Sequence, residues 1–206
     1  MPAAQRPAYF VYRERVGYRL LRRIMDVAVA LLALLLLAPV LAAAIAAIAL
    51  DDGAPVLFRQ RRVGRFERTF TIYKLRTMRR ESCGDAYTAR AGGDARVTRV
   101  GRWLRKLSID EIPQLFNVLR GEMSLVGPRP EMPFIVARYQ PWQHVRHLAR
   151  PGITCIWQTR CRSTIPLERP EATALDLEYM RRASLLTDGV LLAQTLSAVL
   201  TARGAY

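Results

Sequence analysis

The pattern of apolar and polar positions changes character along the chain. Residues 27–50 are all apolar, 24 in a row, and as a straight helix such a run reaches about 36 Å and covers a bilayer core. Pro39 sits at its midpoint, where a proline removes one backbone hydrogen bond and kinks a helix; each half is then about 18 Å, too short to span. Residues 53–65 and 70–78 alternate with the period of two expected of short strands. Residues 81–94 are rich in Gly, Ala and polar groups and read as a mobile loop. Helical spacing returns at 133–148, where Phe134, Ile135, Tyr139 and Trp142 oppose Arg138, Arg146 and two histidines, with a break at Pro141. This segment is either a membrane-surface helix or an ordinary core-facing one. Residues 185–200 read as a terminal packing helix.

Charge adds a topological argument. Arg13, Arg15, Arg19, Arg22 and Arg23 precede the apolar run, and Arg59, Arg61, Arg62, Arg65 and Arg68 follow it. Positive residues mark the cytoplasmic side, so two basic ends predict a segment that dips in and returns. A spanning helix with a tolerated proline is the other reading. The run is long and is followed by Asp51 and Asp52, so it reads as a retained anchor and not a cleaved leader. The expectation is an α/β, mostly helical protein. Residues 1–50 form a basic lead-in and a re-entrant membrane helix-break-helix turning at Ala38 and Pro39. Residues 51–206 form a small cytosolic catalytic domain with interfacial amphipathic helices. Trp103, beside Arg102, Arg105 and Lys106, suits a helix at the headgroup layer.

At 206 residues the chain suits one domain plus an appendage. Lys and Arg outnumber Asp and Glu by 32 to 17, a formal charge of +15, which calls for an anionic partner: nucleic acid, a lipid surface or phosphorylated substrates. Three cysteines, Cys83, Cys155 and Cys161, are too few for a disulfide framework. His144, His147, Cys155 and Cys161 match no common zinc spacing.

The candidate chemistry is concentrated in residues 108–130, S-I-D-E-I-P-Q-L-F-N-V-L-R-G-E-M-S-L-V-G-P-R-P. Asp110 and Glu111 are adjacent at an expected helix start, where carboxylates can hold a cation, and the Gly127-Pro128-Arg129-Pro130 turn presents a rigidly held arginine able to grip a phosphate. Together they point to phosphoryl chemistry. Ser108 and Glu111 also fit a capping box, with Pro113 in the first turn and Leu115, Val118 and Leu119 as a core face. That reading leaves Asp110 and the 127–130 turn unexplained. Lys74 and Arg76 are two apart, so on a strand they share a face and can bracket one diphosphate; a solvated basic edge strand has the same appearance.

Taken in order over about residues 22–200, these motifs resemble the bacterial sugar transferases, the monotopic phosphoglycosyl transferases. The similarity includes Arg23 and Asp26 before the proline-broken helix, the two strand motifs, the approach at 96–107 and the 108–130 block. It continues through P-G-I-T-C at 151–155 and the spacing of Asp176, Tyr179, Ser184, Asp188 and Thr195. Two positions depart from the pattern: Ala38 stands where relatives carry serine, and Cys155 replaces a second glycine. The resemblance implies transfer of a sugar 1-phosphate from a UDP-sugar to polyprenol (undecaprenyl) phosphate, with release of UMP, in surface polysaccharide synthesis. It implies Asp110 as a nucleophile forming a phosphosugar-aspartate, Asp110 and Glu111 as Mg²⁺ ligands, and Lys74, Arg76, Arg96 and Arg129 on substrate phosphates. Gln114, Asn117, Gly127, Pro128 and Pro130 have supporting roles. It further implies the cytosolic face of a bacterial inner membrane, contact with anionic lipids and no nucleic-acid partner, and it is compatible with a homo-oligomer. A membrane-tethered basic binding protein, or a scaffold of a polysaccharide assembly complex, is the alternative.

Overall fold

The computed structural model describes residues 12, 14–82, 94–160 and 169–200. Most of the loop expected at 81–94 lies outside these residues, as do Cys83 and Cys161. In chain order the elements are helix α1 (Val16–Asp52), strands β1 (Leu57–Val63) and β2 (Thr69–Leu75), helices α2 (Arg99–Lys106) and α3 (Gln114–Arg120), and strand β3 (Ser124–Val126). Helix α4 (Pro133–Val136), strand β4 (Gly152–Thr154) and helices α5 (Ile156–Arg160), α6 (Pro170–Arg182) and α7 (Leu185–Leu200) follow. The protein is mostly helical, with two two-stranded sheets among the described residues.

The expected strand pair is an antiparallel hairpin with Leu57 opposite Leu75 and Val63 opposite Thr69. β3 and β4 pair in parallel, Ser124 opposite Gly152 and Val126 opposite Thr154. Their backbones meet closely just beyond β3. Gly127 adopts φ +157°, and a Cβ there would lie 2.4 Å from the Arg150 carbonyl oxygen. Only glycine fits that approach. The 133–148 segment divides before Pro141 into α4 and a 3₁₀ stretch, Pro141–Leu148. Its Ile135, Val136, Arg146 and His147 are buried, so it faces the core.

α1 differs most from expectation. Ala38 and Pro39 do not separate two helices; they lie inside a single 37-residue helix. A proline removes only one donor, and local adjustment in the helix accommodates the loss. Residues 35–40 are all exposed to some degree, with Leu37 at 36% and Leu35 at 74%. On either side of them α1 packs on the rest of the protein. Ala30 enters the main core with Ile72, Val118, Met123, Val126, Ile156 and Leu191, while Ala44 and Ile48 pack with Leu75 and Leu104.

Polar ties fix both ends of α1. Arg22 Nε donates to Ser124 Oγ at 3.0 Å, and Asp26 Oδ1 accepts from the Leu125 amide at 3.0 Å. Arg23 donates to the Val118 and Leu119 carbonyls at 2.6 and 2.8 Å, satisfying the C-terminal end of α3. At the other end, Arg76 Nη2 donates to the Asp52 and Gly53 carbonyls at 2.8 and 2.6 Å. A boundary at residue 50 therefore cuts away a helix that supplies core. Several flanking arginines counted as topology signals point inward: Arg22 and Arg62 are buried, and Arg65 Nε donates to the Leu148 carbonyl at 3.0 Å.

Candidate active site

Asp110 and Glu111 sit on a 3₁₀ turn, Ile109–Glu111, wedged between α2 and α3. Thr98 caps α2 by accepting from the Gly101 amide at 2.9 Å. After α2 the chain reverses at Ser108, whose φ of +54° is left-handed and whose side chain makes no cap hydrogen bond. The capping-box reading is thus corrected: a left-handed Ser108 cannot serve as an N-cap, which needs extended backbone. The helix proper begins only at Gln114. Both carboxylates are 8% exposed.

Two cations converge on one oxygen. Lys74 Nζ, from β2, lies 2.7 Å from Glu111 Oε1, and Arg129 Nη2, from the 127–130 turn, lies 2.8 Å from the same atom. Burial is the largest influence on Lys74 and lowers its pKa, aided by Arg129 and opposed by Glu111. Burial also works against the Arg129 charge, but Glu111 more than offsets it and holds that pKa above its usual value. Charge-assisted hydrogen bonds of this kind are strong, and an oxygen shared by two donors orients both.

The Arg129 loop is held from behind. Arg146 Nη2 donates to the Arg129 carbonyl at 2.7 Å, Arg146 Nη1 donates to Tyr139 Oη at 2.5 Å, and Arg146 is ion-paired to Asp176 at 2.7 Å with both side chains buried. Burial pushes the Asp176 carboxyl up to about 6, against the pull of Arg146. Arg62 Nη1 donates to the Pro130 carbonyl at 3.2 Å, and the Gly152 amide donates to the Pro128 carbonyl at 3.0 Å. Sequence reasoning overlooked these positioning residues. Arg62 was one flanking charge among ten, and the Arg146–Asp176 pair joins positions thirty apart with no local signal.

The other expected residues are distributed differently. Asn117 is a brace: it accepts from the Tyr73 amide at 3.2 Å and donates to the Thr71 carbonyl at 2.7 Å, tying α3 to β2. Gln114 is buried, and its Nε2 has no hydrogen-bond partner among the described residues. Arg76 does not share a strand face with Lys74. β2 ends at Leu75, and Arg76 turns to the end of α1, where it also pairs with Asp52 at 3.1 Å. Arg96 is paired with Asp94 at 2.7 Å, beside the undescribed segment. Cys155 is buried, and burial pushes its thiol up to about 12, so it stays protonated.

A cavity of about 260 Å³ opens next to Glu111. Ala33 and Leu37 of α1, Ile112, Leu115, Ile153 and Val199 give it apolar walls, with Ser108, Glu111 and Thr195 at polar positions. Acid, paired cations and an apolar slot thus meet under α1.

A family model for bacterial sugar transferases matches residues 17–202. The UDP-glucose:undecaprenyl-phosphate glucose-1-phosphate transferase of Caulobacter vibrioides is 44% identical over 200 residues, covering 93% of this chain and 74% of that protein. The UDP-N-acetylgalactosamine-undecaprenyl-phosphate N-acetylgalactosaminephosphotransferase of Aeromonas hydrophila is 38% identical, covering 91% of this chain and 45% of that protein. Exopolysaccharide production protein ExoY of Rhizobium meliloti is 35% identical, over the full length of both chains. With the match running from the first turn of α1 to the end of α7, this chain belongs to the bacterial sugar transferase family.

Proposed function

We propose that the protein is a phosphoglycosyl transferase that moves a sugar 1-phosphate from a UDP-sugar to undecaprenyl phosphate, releasing UMP. The observation that carries this reading is the convergence of Lys74 and Arg129 on Glu111 beside Asp110. A diphosphate brings negative charge to a carboxylate nucleophile, so cations must offset the repulsion before the barrier falls. An ionised aspartate is itself a nucleophile and needs no general base. Its carboxylate oxygen attacks the sugar-bearing phosphorus, the bond to the UMP oxygen breaks, and a phosphosugar-aspartate results. An oxygen of undecaprenyl phosphate then attacks that phosphorus, the aspartyl oxygen leaves, and Asp110 is restored.

Lys74 and Arg129 hold the phosphate oxygens, and Gln114 Nε2 offers a buried donor three residues beyond Glu111. Two adjacent carboxylates are hard oxygen donors that fit Mg²⁺ held jointly by protein and substrate phosphates. The ion would neutralise diphosphate charge, with Asp110 and Glu111 as its protein ligands. The apolar cavity beneath α1 suits the first isoprene units of the acceptor.

Both ends of α1 are fastened to one catalytic unit while residues 35–40 project, which supports a re-entrant anchor at the cytosolic face of a bacterial inner membrane. Trp103 is 66% exposed with Lys106 Nζ 5.3 Å from its ring centre, as suits an anionic headgroup layer.

The test is UMP release from a panel of UDP-sugars with undecaprenyl phosphate and Mg²⁺ in nanodiscs. Asp110→Asn should lower turnover by about a thousandfold or more, and incubation with radiolabelled sugar donor and no acceptor should label wild type alone. Turnover by the variant at the wild-type rate would sink the Asp110 mechanism.

A further inference from the structure

Glu67, in the turn between β1 and β2, meets His144 and His147 of the 141–148 stretch. Glu67 Oε1 lies 2.7 Å from His144 Nδ1 and 3.7 Å from His147 Nδ1. One ligand atom from each of the three residues lies within 4.8 Å of the others. Ligands on one tetrahedral zinc stand about 3.3 Å apart, given metal–ligand bonds near 2 Å. The His147 side chain is 7% exposed, and its Nδ1 has no hydrogen-bond partner among the described residues. A buried ring nitrogen without a hydrogen bond, 3.7 Å from a carboxylate and close to a second imidazole, is a group that a bound ion would satisfy.

We propose that Glu67, His144 and His147 form a binding site for a divalent transition metal of the zinc class, distinct from the Asp110–Glu111 pair. Two imidazoles and one carboxylate are a recognised zinc donor set, and nitrogen ligands disfavour Mg²⁺. Glu67 is 53% exposed, so water completes the coordination from the solvent side. The metal staples the β1–β2 turn to the stretch carrying Arg146, the residue that holds the Arg129 carbonyl. The spacing of the histidines matched no zinc motif because the third ligand comes from a turn 77 positions before His144.

The test uses full-length protein in nanodiscs, purified without a histidine tag and stripped with a chelator. Zn²⁺ is titrated in competition with a chromophoric chelator, and Co²⁺ absorption is recorded, with Mg²⁺ in excess throughout. Wild type should take up about one equivalent, show Co²⁺ visible bands and gain about 5 °C in Tm with zinc. Glu67→Gln and the more accessible His144→Ala should each weaken binding at least about tenfold while keeping the metal-free Tm, and Asp110→Asn should bind like wild type. The proposal is overturned if wild type shows no stoichiometric uptake. It is equally overturned if both ligand variants keep wild-type affinity, or if uptake disappears in Asp110→Asn, Cys83→Ser or Cys161→Ser instead.

Discussion

Glu111 receives two cations through one oxygen, so Lys74 and Arg129 act as a unit and not as independent contacts. Removing either leaves the other cation aimed at a half-neutralised carboxylate in a poorly solvated site. Lys74→Met and Arg129→Ala should each lower kcat/KM about a hundredfold or more. The double variant should lose clearly less than the product, as expected for coupled groups. Initial rates of UMP release test this, and strictly multiplicative losses would contradict it. Asp176 gives the pH dependence. Its folded pKa of about 6 lies above the ordinary 3.8, so the folded state binds this proton more tightly than the unfolded chain. The stabilisation from this carboxyl is full below pH 3.8 and is lost as pH rises through about 6. Activity runs the other way. Below about pH 6 the ion pair with Arg146 is lost and with it the hold on the Arg129 loop, so the rate should fall on the acid side with an apparent pKa near 6. Asp176→Asn should be slower and lack that limb; an unchanged acid limb in its pH–rate profile would exclude Asp176 as its source. At this scale the sequence was informative where chemistry is local: Lys74, Glu111 and Arg129, which the structure brings together, are each singled out by residue type and turn. Arg76 was misplaced because the strand ends one residue earlier, and Arg146 with Asp176 is visible only once distant segments meet.

At the scale of elements, hydrophobic pattern located α1, the β1–β2 hairpin and α7, and Pro141 at the head of the 141–148 stretch marked a real division. Pattern could not show what α1 touches, because an apolar run reads alike whether lipid or core surrounds it. Nor could it show that a left-handed Ser108 separates α2 from the acidic pair. The contacts of α1 at both ends make a topological prediction. Single cysteines placed at Arg15 and Arg59, in an otherwise cysteine-free chain, should both react with a membrane-impermeant thiol reagent from the cytosolic side. One at Leu36 should stay shielded from either side. Labelling of Arg15→Cys and Arg59→Cys from opposite sides would mean a spanning helix.

For the whole molecule, anchor and catalyst share two hydrophobic clusters. A chain beginning at residue 51 loses Ala30, Ala44 and Ile48 from those clusters together with the hydrogen bonds of Arg22, Arg23 and Asp26. Deleting so much buried apolar surface costs more than the marginal stability of a domain of this size. The fragment 51–206 should therefore show no cooperative thermal transition and no UMP release in detergent; a sharp transition would show that these residues fold alone. The formal charge of +15, read in advance only as a demand for something anionic, divides into arginines that brace the interior and others that stay exposed. That division depends on the fold and no composition reveals it.

The insertion of α1 into the core also bears on when during its life the enzyme becomes active. A newly made chain whose first helix has not settled against β3 and α3 lacks the α1 wall of the cavity beside Glu111. Seating of α1 and completion of the site are then a single event, since the same helix closes both core clusters and the cavity beside Glu111.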